Sequence, residues 1–590
     1  MALYINLLND DILLIILSYL KKRDLCALSL TCKHFHTISS PRLWTAVLIS
    51  RDFSFSWWHE NIGTNARYVR EMVIYVSEKA STLPDVLFAT KNIRSLEISY
   101  SSLHSDDPRL SMALVQLCEL RTLSCTWVQD KMLPTIQSIH SPNLTSLRLR
   151  YQYQRCGNFS AHLPSLISAI RSFPRLYDLD LEDLQPAIAI DIASYPPFTS
   201  IRQLTLTDVT EPATDLICLC PKVTSLELDL YCPLPEELDK FDQCRPTWHL
   251  SAPIPRLALS VPCTEVRDIM VPLLKRRALR ATHVQLAIFW DFMEDGISFT
   301  QGEYASRLTR VLDVLQPHSL HLEICVTWGA KPSDCTGTLW QEVAAVAPHL
   351  RALVLCVDSS DPCDDYDPYD DDDPYDDDYP YGRGPPLWTP TDALVEDLAR
   401  LPLVCVHLKA DPEWFRWKGD GDHQRLHALA EFPWELAAAI PTLRVVGVSD
   451  GWSFAKGERS TRWWRVECDD GDDDDASWWL VELWREDGER ALRLAQDEAF
   501  CMSDLDDIYL DKCRYVRERK RVTPLLIAAF LHCKDAVQLY MCTKRKRVTT
   551  PVSIAAFLHK YTVQLYTRTV LRMWSAAKRA VSFGKEEKIP

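Results

Sequence analysis

Between residues 93 and 229 a short hydrophobic formula recurs: IRSLEIS from 93, LRTLSC from 120, LTSLRLR from 144, LYDLDLE from 176, IRQLTLT from 201 and VTSLELD from 223. Its central leucines, Leu96, Leu123, Leu147, Leu179, Leu204 and Leu226, lie 27, 24, 32, 25 and 22 residues apart. Apolar and polar residues alternate within each unit. That is the pattern of a strand buried on one face, because successive side chains leave a strand on opposite sides. Helix-sized segments lie between the units, for example Leu163 to Ser172, and breaks such as Phe173-Pro174 and Cys220-Pro221 precede several of them. One strand-and-helix unit cannot hide its own apolar face, so units at this period stack into a solenoid. Weaker units continue at Arg256 to Val261, Thr282 to Phe289, Leu320 to Val326, Leu350 to Val357, Leu403 to Lys409 and Leu443 to Val448.

A solenoid exposes the alternate residues of its strands, a surface suited to recognising another protein. The positions flanking the inward leucines are Glu97, Ser99, Arg148, Arg150, Asp180, Glu182, Thr205, Thr207, Glu227 and Asp229. Their mixture of acids, hydroxyls and arginines defines no single ligand. The competing architecture for the same pattern is a large α/β domain built on a mixed sheet.

The chain has 590 residues, too many for one core, and 47% of them are hydrophobic. Its net charge of −16 is local: Asp361 to Asp378 holds eleven aspartates and Asp469 to Asp475 holds six, and the remainder is close to neutral. A charge so distributed argues against a general nucleic-acid or anionic-membrane binder. The twenty cysteines are scattered singly, without zinc-site pairing or the density of a disulfide scaffold, which predicts reduced thiols in the cytoplasm, the nucleus or both. Asp10 and Asp11 precede the first apolar run, which is wrong for a secretory signal, and no run approaches the roughly 20 residues of a membrane span.

Residues 8 to 44 read LNDDILLIILSYLKKRDLCALSLTCKHFHTISSPRLW, a succession of three short helices. Asn9 or Asp10 can cap the first, Asp24 the second, and the third carries Cys32, Phe35 and Ile38 up to Pro41. The six consecutive apolar residues from Ile12 to Leu17 wrap more of the first helix than one buried stripe needs. A unit this small cannot cover the surplus alone, so either a partner or the downstream repeats must do so.

Leu8, Asp11, Ile12, Leu13, Ile16, Leu17, Tyr19, Leu20, Asp24, Leu25, Cys32, Lys33, Phe35, Ile38, Pro41, Leu43 and Trp44 fall in the order and spacing of the F-box pattern, and the stretch resembles the F-box family. Asn9 stands where that family usually has proline, and Thr31 where it usually has valine. The resemblance implies a three-helix motif that docks on a Skp-type adaptor and through it a cullin, with no catalytic residue. By the same analogy the adaptor-binding residues are Leu8, Ile12, Leu13, Ile16, Leu17, Leu20, Leu43 and Trp44. The repeats behind it resemble the irregular leucine-rich repeats found after many F-boxes, and would carry an unidentified protein substrate for ubiquitination. The alternative is a non-catalytic leucine-rich-repeat scaffold with no ligase coupling.

Only 16 glycines occur, and there is no phosphate loop, dinucleotide fingerprint, nucleophile elbow or paired-histidine zinc helix. The 16 histidines sit singly in sequence. Neither Asp420-Gly421-Asp422 nor the run at Asp469 has the ligand spacing of a calcium loop. No catalytic residue, cofactor or metal site is therefore expected.

The expected layout is α/β. A three-helix F-box (1–50) leads into an irregular leucine-rich-repeat solenoid (55–450) with a disordered acidic loop (358–386). A tryptophan-rich acidic segment (451–500) and a helical tail (501–590) follow. In the tail, KRVTPLLIAAFLHCKDAVQLY from 520 is echoed by KRVTTPVSIAAFLHKYTVQLY from 546, which reads as a recent tandem duplication or as an error in how the coding sequence was assembled.

Overall fold

Three helices open the chain, Asp10–Ser18, Lys22–Ser29 and Lys33–Leu43. The computed structural model describes residues 10–49, 63–75, 83–99, 108–139, 141–152, 162–186, 194–230, 253–261, 270–289, 301–325, 339–358, 390, 392–411, 421–450, 460–468, 478–506 and 508. Asp10 and Asp11 occupy the first turn of the first helix, where carboxylates meet the positive end of its dipole. The second helix starts earlier than expected: Lys21 is its N-cap and Asp24 sits inside its first turn. Cys32 caps the third, its Sγ accepting from the Phe35 N–H at 3.5 Å. That helix runs through Pro41 to Leu43, two residues beyond the expected end.

Arg42 ties the first helix to the third. Its guanidinium donates to the carbonyls of Leu17, Ser18 (2.6 Å) and Leu20 (3.4 Å) at and just beyond the end of the first helix, where carbonyls lack a full set of helical partners. Lys22 Nζ donates to the Ala46 carbonyl at 2.8 Å, fixing the module to the strand that follows.

That strand, β1 (Ala46–Ile49), begins a single sheet of 16 strands in sequence order. The next are β2 (Glu71–Ile74), β3 (Ser95–Ser99), β4 (Thr122–Val128), β5 (Ser146–Tyr151), β6 (Asp178–Glu182), β7 (Gln203–Val209) and β8 (Ser225–Leu230). Then come β9 (Ile254–Val261), β10 (Ala281–Phe289), β11 (Ser319–Cys325), β12 (Ala352–Asp358), β13 (Cys405–Asp411) and β14 (Val445–Asp450). From β1 to β14 every neighbouring pair is parallel. The arrangement is α/β and solenoid-like, with a long open sheet.

Two apolar ladders hold the array. Met72, Leu96, Leu123, Leu147, Leu179, Leu204, Leu226 and Leu257 pair one to the next across β2–β9. Two residues further along each strand, Ile74, Ile98, Cys125, Leu149, Leu181, Leu206, Leu228 and Leu259 do the same. All are buried, together with helix residues such as Leu114, Ile136, Leu166 and Ile167, so the helices cover this face of the sheet. The recurring arginine before the strands closes the preceding turn: Arg70, Arg202 and Arg444 each donate from Nη1 to two carbonyls of that turn.

The sheet does not stop at 450. Strands β15 (Ser460–Cys468) and β16 (Trp478–Leu483) continue it antiparallel, so the tryptophan-rich segment belongs to the sheet edge. Helix Arg485–Gln496 then packs against β12–β15. Arg351 holds its end, donating to the carbonyls of Ala495 (2.9 Å) and Asp497. Contacts divide the chain into residues 1–505 and 506–590. Residues 359–386 of the acidic loop and the duplicated tail lie outside the described residues.

Candidate functional sites

The helical module keeps an apolar face open. Leu14 is 48% exposed, Ile15 59%, Tyr19 84% and Leu30 85%, four large apolar side chains left open on a module of three short helices. The sequence assigned the face differently. Leu13 and Leu17, at 3% and 2% exposure, point inward against the other helices, because the first helix gives that stripe to its own bundle. Leu20 and Leu43 are half-buried, and Trp44 packs on the core of the sheet. Leu8 and the side chains of Ile12 and Ile16 lie outside the described residues. The sequence signal that could have separated Leu13 and Leu17 from Leu14 and Ile15 was the i, i+4 spacing of the buried pair, hidden by the unbroken apolar run.

A second surface is the face of the sheet opposite the helices. Across β3–β8 the pairing lines up Glu97, Ser124, Arg148, Asp180, Thr205 and Glu227. Beside them run Ser99, Thr126, Arg150, Glu182 and Thr207. The polar positions named from sequence on β3–β7 thus share one face. Arg148 bridges Asp180 (3.1 Å) and Glu182 (3.2 Å), and Arg150 bridges Glu182 (3.2 Å) and Asp183 (3.3 Å). Burial pushes the carboxyls of Asp180 and Asp229 up to about 6, and neighbouring acids add to it, because carboxylates outnumber guanidiniums here. Trp127 departs from strand geometry at φ 65°, and its side chain stays 57% exposed beside this face.

Towards β10–β13 the same face carries histidines. His283 Nδ1 lies 2.9 Å from the Ser319 hydroxyl, and His407 Nε2 lies 2.8 Å from that of Ser449. His321 Nε2 lies 3.0 Å from Cys356 Sγ and 3.3 Å from Glu323 Oε1. Burial, first of all, pulls His407 down to about 3, and the charges of Lys409, His321 and Arg485 act in the same direction. A folded-state pKa so depressed contributes stability above about pH 6.5, lost as the pH falls and the unfolded chain alone takes the proton. At about pH 5 the loss is about 2 kcal/mol for this side chain. Asp180 and Asp229 act oppositely, gaining protons in the folded state below about pH 6, but they are partly exposed and screened. His407→Gln keeps an amide for Ser449 and is expected to remove about 2 kcal/mol of the loss of stability between about pH 7 and 5, leaving the share of His283 and His321, which burial likewise lowers to about 4 and about 3. Denaturant midpoints at the two pH values measure it, and a wild-type slope in the variant would refute the assignment.

The chain thus joins a small helical module with exposed apolar side chains to a solenoid-like sheet whose second face is polar. Residues 8–50 match the family model described as F-box-like, which supports an F-box protein. The match covers the three helices and β1 and ends before β2. No curated protein matches the chain. No helix among the described residues is long and apolar enough to cross a membrane.

Proposed function

We propose that the chain is the non-catalytic substrate receptor of a Skp–cullin–F-box ubiquitin ligase, working in the cytoplasm, the nucleus or both. F-box domains generally bind Skp-type adaptors, and the observation that carries the reading is the open face of Leu14, Ile15, Tyr19 and Leu30 within the F-box-like stretch. The in-register apolar ladders support a leucine-rich-repeat solenoid, whose open face would take the protein target.

Ile15→Asp with Tyr19→Asp places two charges on the open face while leaving Leu13 and Leu17 in the bundle. Capture of a purified Skp-type adaptor by the full chain is expected to weaken by roughly a hundredfold or more, the scale of losing two interface anchors. Undiminished capture by the double variant would remove the receptor reading.

A further inference from the structure

We propose that His321, Glu323 and Cys356 form a zinc site on the open face of β11 and β12. Among the described residues they are the only group of three such side chains whose ligand atoms all lie within 4.8 Å of one another. Their backbone positions explain why. His321 and Glu323 are two apart on one strand and so leave the same face, and the register sets Glu323 directly opposite Cys356.

The ligand set is one imidazole, one carboxylate and one thiolate, a borderline mixture that suits Zn²⁺ and suits neither Ca²⁺ nor Mg²⁺, which take oxygen ligands. Zinc bonds of about 2.0–2.3 Å at tetrahedral angles place neighbouring ligand atoms about 3.3–3.5 Å apart. Nε2 to Oε1 is already 3.3 Å, and Nε2 to Sγ, at 3.0 Å, must open by about half an ångström, within ordinary side-chain torsion. An outer shell is in place. Gln285 Nε2 donates to Glu323 Oε1 at 3.1 Å, and Arg256 donates to Gln285 Oε1 at 3.0 Å, which fixes the carboxylate.

A nucleophile–base–orienter relay would need the carboxylate on the imidazole nitrogen remote from the sulfur. Here Sγ and Oε1 both lie against Nε2, an arrangement that fits a shared ion between them and not a proton relay. Two anionic ligands and one neutral one balance a dication, so the site tolerates Lys409, which the register places across from Cys356. The fourth coordination position is left to water or to an incoming side chain.

The test uses the full chain, freed of metal by a chelator and titrated with Co²⁺. One equivalent is expected to give a thiolate-to-cobalt charge-transfer band in the near ultraviolet, displaced by Zn²⁺. Cys356→Ser should abolish the band. His321→Gln and Glu323→Gln should each weaken binding by more than the roughly 10- to 100-fold that loss of an outer-shell partner costs. Far-ultraviolet circular dichroism confirms that each variant is folded, and if Cys356→Ser is not, the other two decide. No band in the folded wild-type chain, or one that persists undiminished in the variants, overturns the site. The readout is independent of adaptor binding, so it stands or falls separately from the ligase reading.

Discussion

Asp215→Ala is expected to lower the stability of the array by about 3–5 kcal/mol, the cost of stranding one member of a buried ion pair. Asp215 lies in the 3-10 segment Glu211–Leu219, and its Oδ1 accepts from the Arg277 guanidinium at 2.6 Å. The two side chains are only 5% and 4% exposed. Arg277 ends helix Met270–Arg277, so the pair spans from the segment ahead of β8 to the helix behind β9. Without the carboxylate the guanidinium stays in a low-dielectric layer among apolar neighbours. Replacing both, as Asp215→Leu with Arg277→Met, should recover most of the loss, because the penalty belongs to the buried charge that has lost its carboxylate. Denaturant unfolding gives the magnitude, and hydrogen exchange in residues 211–219 and 270–277 gives the place. A loss under about 1 kcal/mol, the worth of an exposed pair, would mean that water reaches the bridge.

Trp463→Ala should cost a comparable amount, about 3–5 kcal/mol, and should act at the far end of the sheet. Trp463 is fully buried although it sits on the face that is open elsewhere. Its ring lies across Gly447 of β14 and reaches His407 of β13, with ring centroids 4.5 Å apart. A Cβ at Gly447 would come within 2.6 Å of the indole, and one at Gly488 would collide with it, so glycine is required at both positions. Removing the indole therefore takes away the seat of helix Arg485–Gln496. Amides of that helix should exchange faster while those of β3–β8 keep their protection, since stability in a stacked array passes mainly between neighbours. Uniform loosening along the whole array would contradict that locality.

The ladders were legible because each leucine unit repeats a period of two inside a period of 22 to 32 residues, and Leu96 through Leu226 do pair in the order read. The weaker units from Arg256 to Val448 also coincide with β9–β14. Strands β1 and β2 escaped notice because AVLI and EMVI are four residues long and carry no leucine formula. In the helical module, the run from Ile12 to Leu17 hides which stripe turns inward, since every position in it is apolar and only packing against Lys33–Leu43 decides. The cluster on β11 and β12 could not be read at all: a histidine and a cysteine 35 positions apart meet only through strand register. Trp463 lay in a crowd of tryptophans, and nothing local marks it as the one that the closing helix covers.

The junction at Lys22 and Ala46 makes the sheet a ruler. Helix Lys33–Leu43 passes into β1 within three residues, and Thr45 at once receives the N–H groups of Arg70 and Glu71 at 2.9 Å. If the helices hold an adaptor and a strand holds a target, as proposed, the two are offset along the sheet in steps of one strand, about 4.8 Å for each. Shifting a docking point by one unit then changes the working distance in fixed increments, which a flexible tether could not do.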